Sequence, residues 1–306
     1  MGPVERSALL ARWMDVSSPS EQDRMERAER MVTAAIDAHP AFNGYRSSIK
    51  IYAKGSYANK TNVRADSDVD VVVENQHVIY YDYFPASSAP SHDPNARPYT
   101  GRWDDPDEWR EQVRLAMVNK FGISDVDSSG EVAITIAEVV GSRPSADVVP
   151  SFDYVRYDSP DRGIAHGGSR VFKRTGGYVD NFPDQQKANG IAKDRNTGAR
   201  YKKYVRALKN AENLLSDQGV IDELPSYFME CLVWNVPDSH INAGNTLDQG
   251  FRSTLAYAFN NLLPAAFDYD EWVEPNDLKY LFCGDKWSRE DGFKLVDATW
   301  DLLGYE

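Results

Sequence analysis

From Lys54 to Glu74 the chain reads KGSYANKTNVRADSDVDVVVE, and the reading of this stretch decides the fold. Three aspartates, Asp66, Asp68 and Asp70, stand at alternate positions, and four valines crowd into the five residues from Val69 to Val73. Successive side chains of a β-strand point to opposite faces. A strand over 68–73 is therefore expected to present Asp68 and Asp70 on one face and to turn Val69, Val71 and Val73 into a core. Two carboxylates about 7 Å apart along such a strand can converge on divalent cations that relieve their repulsion. The competing reading is an exposed edge strand whose aspartates block aggregation. Asp66 belongs more simply to the turn entering the strand, because Asp66-Ser67-Asp68 lacks an apolar middle residue.

Gly55-Ser56 shifts the balance. A glycine lets backbone amides approach a phosphate closely, and the serine hydroxyl adds a donor. Gly-Ser, eleven residues, then Asp-Val-Asp-Val resembles the signature of the nucleotidyltransferase superfamily related to DNA polymerase β. That resemblance implies a triphosphate held at the Gly-Ser and metals held by the aspartates. A third carboxylate is then wanted from a neighbouring strand. Asp147, opening the β-rich run in SADVVPSF, is the best candidate, with a turn residue as the alternative. Asp153, past Pro150 in a less regular segment, is the runner-up. Asp125-Val126-Asp127 precedes Ser-Ser-Gly and reads as a turn.

The chain has 306 residues, enough for one large domain or two lobes. Its net charge of −13 opposes the basic surface that a nucleic-acid partner selects, so no DNA or RNA activator is expected. No apolar run approaches the ~18–20 residues that span a membrane. The first residues lack the pattern of a secretion signal. Cys231 and Cys283 read as reduced core thiols, too few with the scattered histidines for a zinc site. A cytoplasmic protein without a membrane partner is expected.

Ser18-Pro19-Ser20-Glu21 reads as a capping box. Met25, Ala28, Met31, Val32, Ala35 and Ile36 then follow a helical period until His39-Pro40. Strands are expected over 47–53, 68–73, 131–140 and 146–149, a helix over 107–120 and a surface loop from Tyr80 to Pro106. Beyond about residue 170 the pattern turns helical, with candidates at 198–216, 226–234, 248–262 and 289–302. Lys202, Arg206 and Lys209 share a helical face, either a phosphate-facing stripe or a solvated one. Ser226 and Tyr227 open a helix where a phosphate and a base could be met, although an aromatic at a helix start is more often core.

These stretches together resemble the bacterial cGAS/DncV-like nucleotidyltransferases (CD-NTases), and within them the CdnE-type clade. The similarity lies in GSYANKTNVRADSDVDVVV, SADVVPSF, YKKYVRALKNA and PSYFMECLVWNVPDS, in order along most of the chain. It implies an α+β fold: a polymerase-β-like palm with a long N-terminal spine helix, and a helical second lobe. The expected division is 1–170 for the nucleotidyltransferase core and 171–306 for the helical lobe with its lid and nucleotide contacts. By position, Asp68, Asp70 and Asp147 resemble the metal triad, for two Mg²⁺ ions with Mn²⁺ as an alternative. Gly55 and Ser56 fall at the triphosphate, Lys202 and Ser226 at phosphate contacts and Tyr227 at the base-stacking aromatic. Asn181, before Phe182-Pro183, matches a lid asparagine associated with uracil, or is simply a turn residue. Its amide offers the donor and acceptor that uracil O4 and N3–H require. The activity implied is Mg²⁺-dependent synthesis of a cyclic di- or trinucleotide from nucleoside triphosphates, with ATP and UTP as candidates. The product would activate a separate effector in anti-phage defence. Nucleotidyl transfer to RNA or a small molecule, or a silent nucleotide-binding scaffold, are the alternatives.

Overall fold

The computed structural model describes residues 1–15, 20–63, 68–90, 99, 101–284 and 286–306. The expected N-cap at Ser18-Pro19 and the expected turn at Asp66 lie outside those residues. By their contacts the residues form two compact units, a sheet unit (19–57 and 66–183) and a helical unit (1–18, 58–65 and 184–306). The helical unit takes in two earlier segments, and its C-terminal part begins at residue 184.

The first helix, α1 (Pro3–Met14), has no counterpart among the expected elements and buries Leu10 and Met14 in the helical unit. In the sheet unit, α2 (Ser20–Ala38) is the expected spine helix. It buries Ala28, Val32, Ala35 and Ile36 at helical spacing and stops before Pro40, since the residue preceding proline avoids the helical region. Next come β1 (Ile49–Ala53), the one-turn helix α3 (Gly55–Asn59) and β2 (Val69–Tyr83). Asp105 caps α4 (Pro106–Phe121) by accepting from the amides of Asp107 and Glu108. The strands β3 (Val126–Asp127), β4 (Ile134–Ile136), β5 (Ala146–Tyr157), β6 (Ala165–Phe172) and β7 (Tyr178–Asn181) follow.

The sheet runs β1-β2-β5-β4-β3, and β6 pairs with β5 beyond the end of β4 and carries β7 outside it. Among the described residues, only β2 and β5 pair in parallel. One face of the sheet offers Val69, Val71, Val73, Ile134, Ile136, Ala146, Val148 and Phe152 to α2 and to Trp109, Val113 and Met117 of α4. The alternation legible in the sequence is thus the core pattern of the sheet unit.

Several expected elements differ in extent. Tyr80–Tyr83, placed in a loop, continues β2. The strand at 131–140 contracts to β4 because the chain turns back at Val139, which bridges Arg143. Asp153 lies within regular β5 rather than beyond it. Pro150 is tolerated there because it falls after the pairing with β4 ends and before that with β6 begins, where a missing N–H costs least. Val126-Asp127 is a short strand, and its Asp127 accepts from the Ser129 amide in the turn that follows.

The segment expected as a lid is the β6–β7 hairpin of the sheet. Arg170 fastens it by ion pairs to Asp180 and Asp82 while its guanidinium lies over the rings of Tyr154 and Tyr178. The helical unit contains α5 (Pro183–Asn196, starting at the unit boundary), α6 (Tyr201–Asp217), α7 (Ser226–Trp234), α8 (Asp238–Ile241), α9 (Leu247–Leu262) and α10 (Arg289–Leu303). Tyr204, Leu208, Phe228, Leu232, Phe251, Leu255 and Leu295 form its core. Cys231 is a buried thiol, but Cys283 is exposed, contrary to expectation. No helix among the described residues is long and apolar enough to cross a membrane.

Candidate active site

Strand parity assembles the acidic site. Because Val69, Val71, Ala146, Val148, Ile134 and Ile136 face the helices, the intervening Asp70, Asp147 and Thr135 share the opposite face. Register then aligns them. Asp70 on β2 lies directly opposite Asp147 on β5, and Asp147 lies opposite Thr135 on β4. Three adjacent strands thus carry a row of two carboxylates and a hydroxyl, each about 4.8 Å from the next. The Thr135 hydroxyl donates to Asp147 Oδ1 at 2.6 Å. Asp68 stands exposed just before β2, two residues from Asp70.

Gly55 abuts this row. Its φ of 74° is a left-handed conformation, and a Cβ built on it would overlap the Asp70 carboxylate. Glycine is required there twice, for the turn and for the close approach. The neighbouring Lys54 donates its amide to the Asp70 carbonyl at 3.0 Å, so α3 starts from a backbone pinned to the acidic strand.

The charges in the row work against each other. Burial raises the Asp70 pKa, Lys54 opposes the rise, and Asp147 and Asp68 add to it. Burial also raises Asp147, against the Thr135 hydrogen bond, with Asp68 adding further repulsion. Among the described residues no three carboxylate, imidazole or thiolate side chains already enclose a metal position. The all-oxygen donor set and its mutual repulsion nevertheless suit a hard divalent cation that shares its remaining positions with phosphate oxygens. Asp153 shares the face of Asp147 but lies six residues further along β5, about 20 Å away, too far to join the same ligand set.

Asn181 is the last residue of β7, half-buried and opposite Ser169, which is itself opposite Asp153. Parity therefore puts Asn181 on the carboxylate face of the sheet rather than in a loop. Phe182 is buried against Tyr154. In the helical unit, Lys202 sits half-buried in the first turn of α6, its amide donating to Asp194 Oδ1 at 3.0 Å and its pKa lowered by burial. Ser226 is exposed at the start of α7. Tyr227 packs against the helical core beside Trp287 and donates its hydroxyl to Glu274 at 3.3 Å, so most of its ring is already engaged. Arg206 and Lys209 are buried, not solvated.

Thr135 and Gly55's contact with Asp70 emerge only from the assembled sheet. The signal for Thr135 was present in Ile134-Thr135-Ile136, a polar residue between two core residues, but its partner could be found only from register.

Two adjacent carboxylates on a helix-backed sheet, abutted by a Gly-Ser helix, make up the candidate site. The family model for the cGAS/DncV-like nucleotidyltransferase C-terminal helical domain matches residues 188–304. The chain is 33% identical to the cyclic dipyrimidine nucleotide synthase CdnE of Cecembia lonarensis, over 97% of each chain. It is 30% identical to a cyclic dipurine nucleotide synthase of Elizabethkingia meningoseptica, over 97% of this chain and 98% of the other. Its fold matches the CdnE c-UMP-AMP synthase of Rhodothermus marinus, solved with Apcpp and Upnpp, with a TM-score of 0.80 at 26% identity, covering 98% of this chain and 97% of that one. The chain belongs to the cGAS/DncV-like nucleotidyltransferases, as a member of the CdnE type.

Proposed function

We propose that this enzyme joins nucleoside triphosphates into a cyclic di- or trinucleotide, with uridine among its bases, which acts in the cytoplasm as a second messenger for a separate anti-phage effector. The row Asp70–Asp147–Thr135 with Gly55 against Asp70 carries this reading. The similarity to synthases of cyclic nucleotides supports it.

In each step the acceptor's ribose hydroxyl oxygen bonds to the donor's α-phosphorus while the bond from that phosphorus to its bridging oxygen breaks, releasing pyrophosphate. Asp147 receives the hydroxyl proton at Oδ2, the oxygen Thr135 does not hold. Ser56 and the amides beside Gly55 hold the triphosphate. Two divalent cations, Mg²⁺ or Mn²⁺, held by Asp68, Asp70 and Asp147, would lower the pKa of the attacking hydroxyl and stabilise the departing pyrophosphate. Asn181 reads the base through its amide. Lys202 and Ser226 contact phosphate, and Tyr227 meets a base only through the part of its ring that packing leaves exposed. The last round, on the linear intermediate, closes the ring: the second for a dinucleotide, the third for a trinucleotide.

Mass spectrometry of the products formed from ATP, GTP, CTP and UTP with Mg²⁺ tests the proposal. A cyclic product from the wild type and none from Asp68→Asn is the expected result. Consumption only in the presence of an added acceptor, or no consumption at all, would overturn it.

A further inference from the structure

The chain that leaves α3 is tied into the helical unit at three successive residues. Asn59 Nδ2 donates to Glu230 Oε1 at 3.4 Å. The Lys60 carbonyl accepts from Arg206 at 2.8 Å, and the same guanidinium donates to the Met14 carbonyl. Thr61 takes part in a relay: Lys209 Nζ donates to Thr61 Oγ1 at 3.3 Å, and Thr61 Oγ1 donates to Glu230 Oε2 at 3.2 Å. Gln186 Nε2 completes the set on Glu230 Oε1 at 2.9 Å. Glu230, Lys209 and Arg206 are only 3%, 2% and 3% exposed.

Burying these charges is costly, and apolar side chains of similar volume would serve stability as well or better. What a connected polar network can add is a single register. The register it sets here is that of Asn59, Lys60 and Thr61, and Lys60 adopts a left-handed φ of 58° within it. Asn59 ends α3, the helix whose first two residues are Gly55 and Ser56. Glu230 itself lies one turn after Ser226 on α7, and Lys209 and Arg206 lie on α6 with Lys202.

We infer that Glu230 is a positioning residue for nucleotide binding, the carboxylate that fixes Asn59, Lys60 and Thr61, where the chain leaves α3, on the helices bearing Ser226 and Lys202. The inference rests on the nucleotide-binding reading above. It assigns Glu230 no contact with substrate.

Glu230→Gln, Thr61→Val and Thr61→Ser, each in the full chain, are assayed for steady-state turnover and for binding of a non-hydrolysable nucleoside triphosphate by calorimetry. Glu230→Gln should raise Kd and KM about tenfold, as expected for one charge-assisted hydrogen bond, while kcat stays within about threefold. Thr61→Val breaks the relay without altering charge and should shift Kd and KM in the same direction by less. Thr61→Ser keeps the hydroxyl and should restore the wild-type values. Thr61→Val also serves as the test if Glu230→Gln does not fold. A wild type that neither binds nor consumes nucleoside triphosphates would sink the underlying reading. A wild type that does both, with variants that lose thermal stability but keep its Kd and KM, would overturn the inference alone.

Discussion

Gly55 and Asp70 touch across the start of α3: the glycine's missing side chain is the space that the aspartate's carboxylate occupies. Gly55→Ala must push that carboxylate aside and also hold an L-residue at positive φ, a strain of about 1–2 kcal/mol. Nucleotide turnover should fall at least about a hundredfold, the scale on which misplacing a reacting group acts, while the melting temperature drops only modestly. A variant with wild-type turnover would show that Asp70 needs no such approach.

Thr135 holds one oxygen of Asp147 and leaves the other for the proton transfer proposed above. Thr135→Val keeps the shape and removes the donor. A hydrogen bond to a charged group is worth about 1.5–3 kcal/mol, so kcat should fall by about ten- to a hundredfold. Little change in folding is expected, because the site face rather than the core loses the contact. Stopped-assay kinetics beside thermal melting separate the two effects.

Base choice should respond at two positions. Asn181→Ser shortens the amide proposed to read uracil and should move the product mixture from uridine towards purines. Gly168 supports the same spot from β6: a Cβ there would stand 2.5 Å from the Asn181 carbonyl and 2.9 Å from Phe182 Cδ1. Gly168→Ala should therefore displace Asn181 and lower uridine incorporation as well, at a stability cost of about 1–3 kcal/mol from overpacking. Product ratios from equimolar triphosphates report both, and unchanged uridine use in Asn181→Ser rejects the role.

Lys209 gives a pH dependence with a definite sign. Burial lowers its pKa in the folded protein below the unfolded value. Between those two values the unfolded chain binds more protons, so the lysine's contribution to stability rises with pH. Below the folded pKa the whole burial cost is present, and it disappears as pH climbs towards the unfolded value. Lys209→Met has no such titration. Melting curves of the two proteins from pH 7 to pH 10 should show the difference moving steadily in favour of the wild type, and a constant difference would exclude it.

The readable part of this protein was its alternation. Asp-Val-Asp-Val and Ala-Asp-Val-Val each declared a strand with one wet and one dry face, and both carboxylates fell on the wet face. Register was not readable, because residues far apart in the chain decide it, so Thr135 stayed an ordinary strand residue until β4 lay beside β5. Tyr80–Tyr83 carried strand-forming tyrosines but bordered a Ser- and Pro-rich stretch that suggested a loop. Asn181 looked like a turn residue before proline, yet pairing with Ser169 puts it in the sheet. Glu230 did leave a trace: it is the one charged residue of α7, whose other side chains are mostly apolar. A lone acid among such neighbours marks a buried partner network, but the partners, Asn59, Thr61 and Gln186, come from distant segments.

The parallel pairing of β2 with β5 has a consequence for when the enzyme can first act. Asp70 and Asp147 are 77 residues apart in the chain, with α4, β3 and β4 between them. Such long-range strand pairing is slow to form and depends on the whole intervening chain. A nascent or truncated polypeptide that ends before β5 holds Asp68 and Asp70 but has no opposing carboxylate. If Asp147 plays its proposed part, a partly made copy is silent by topology, and synthesis of the nucleotide waits for a complete sheet.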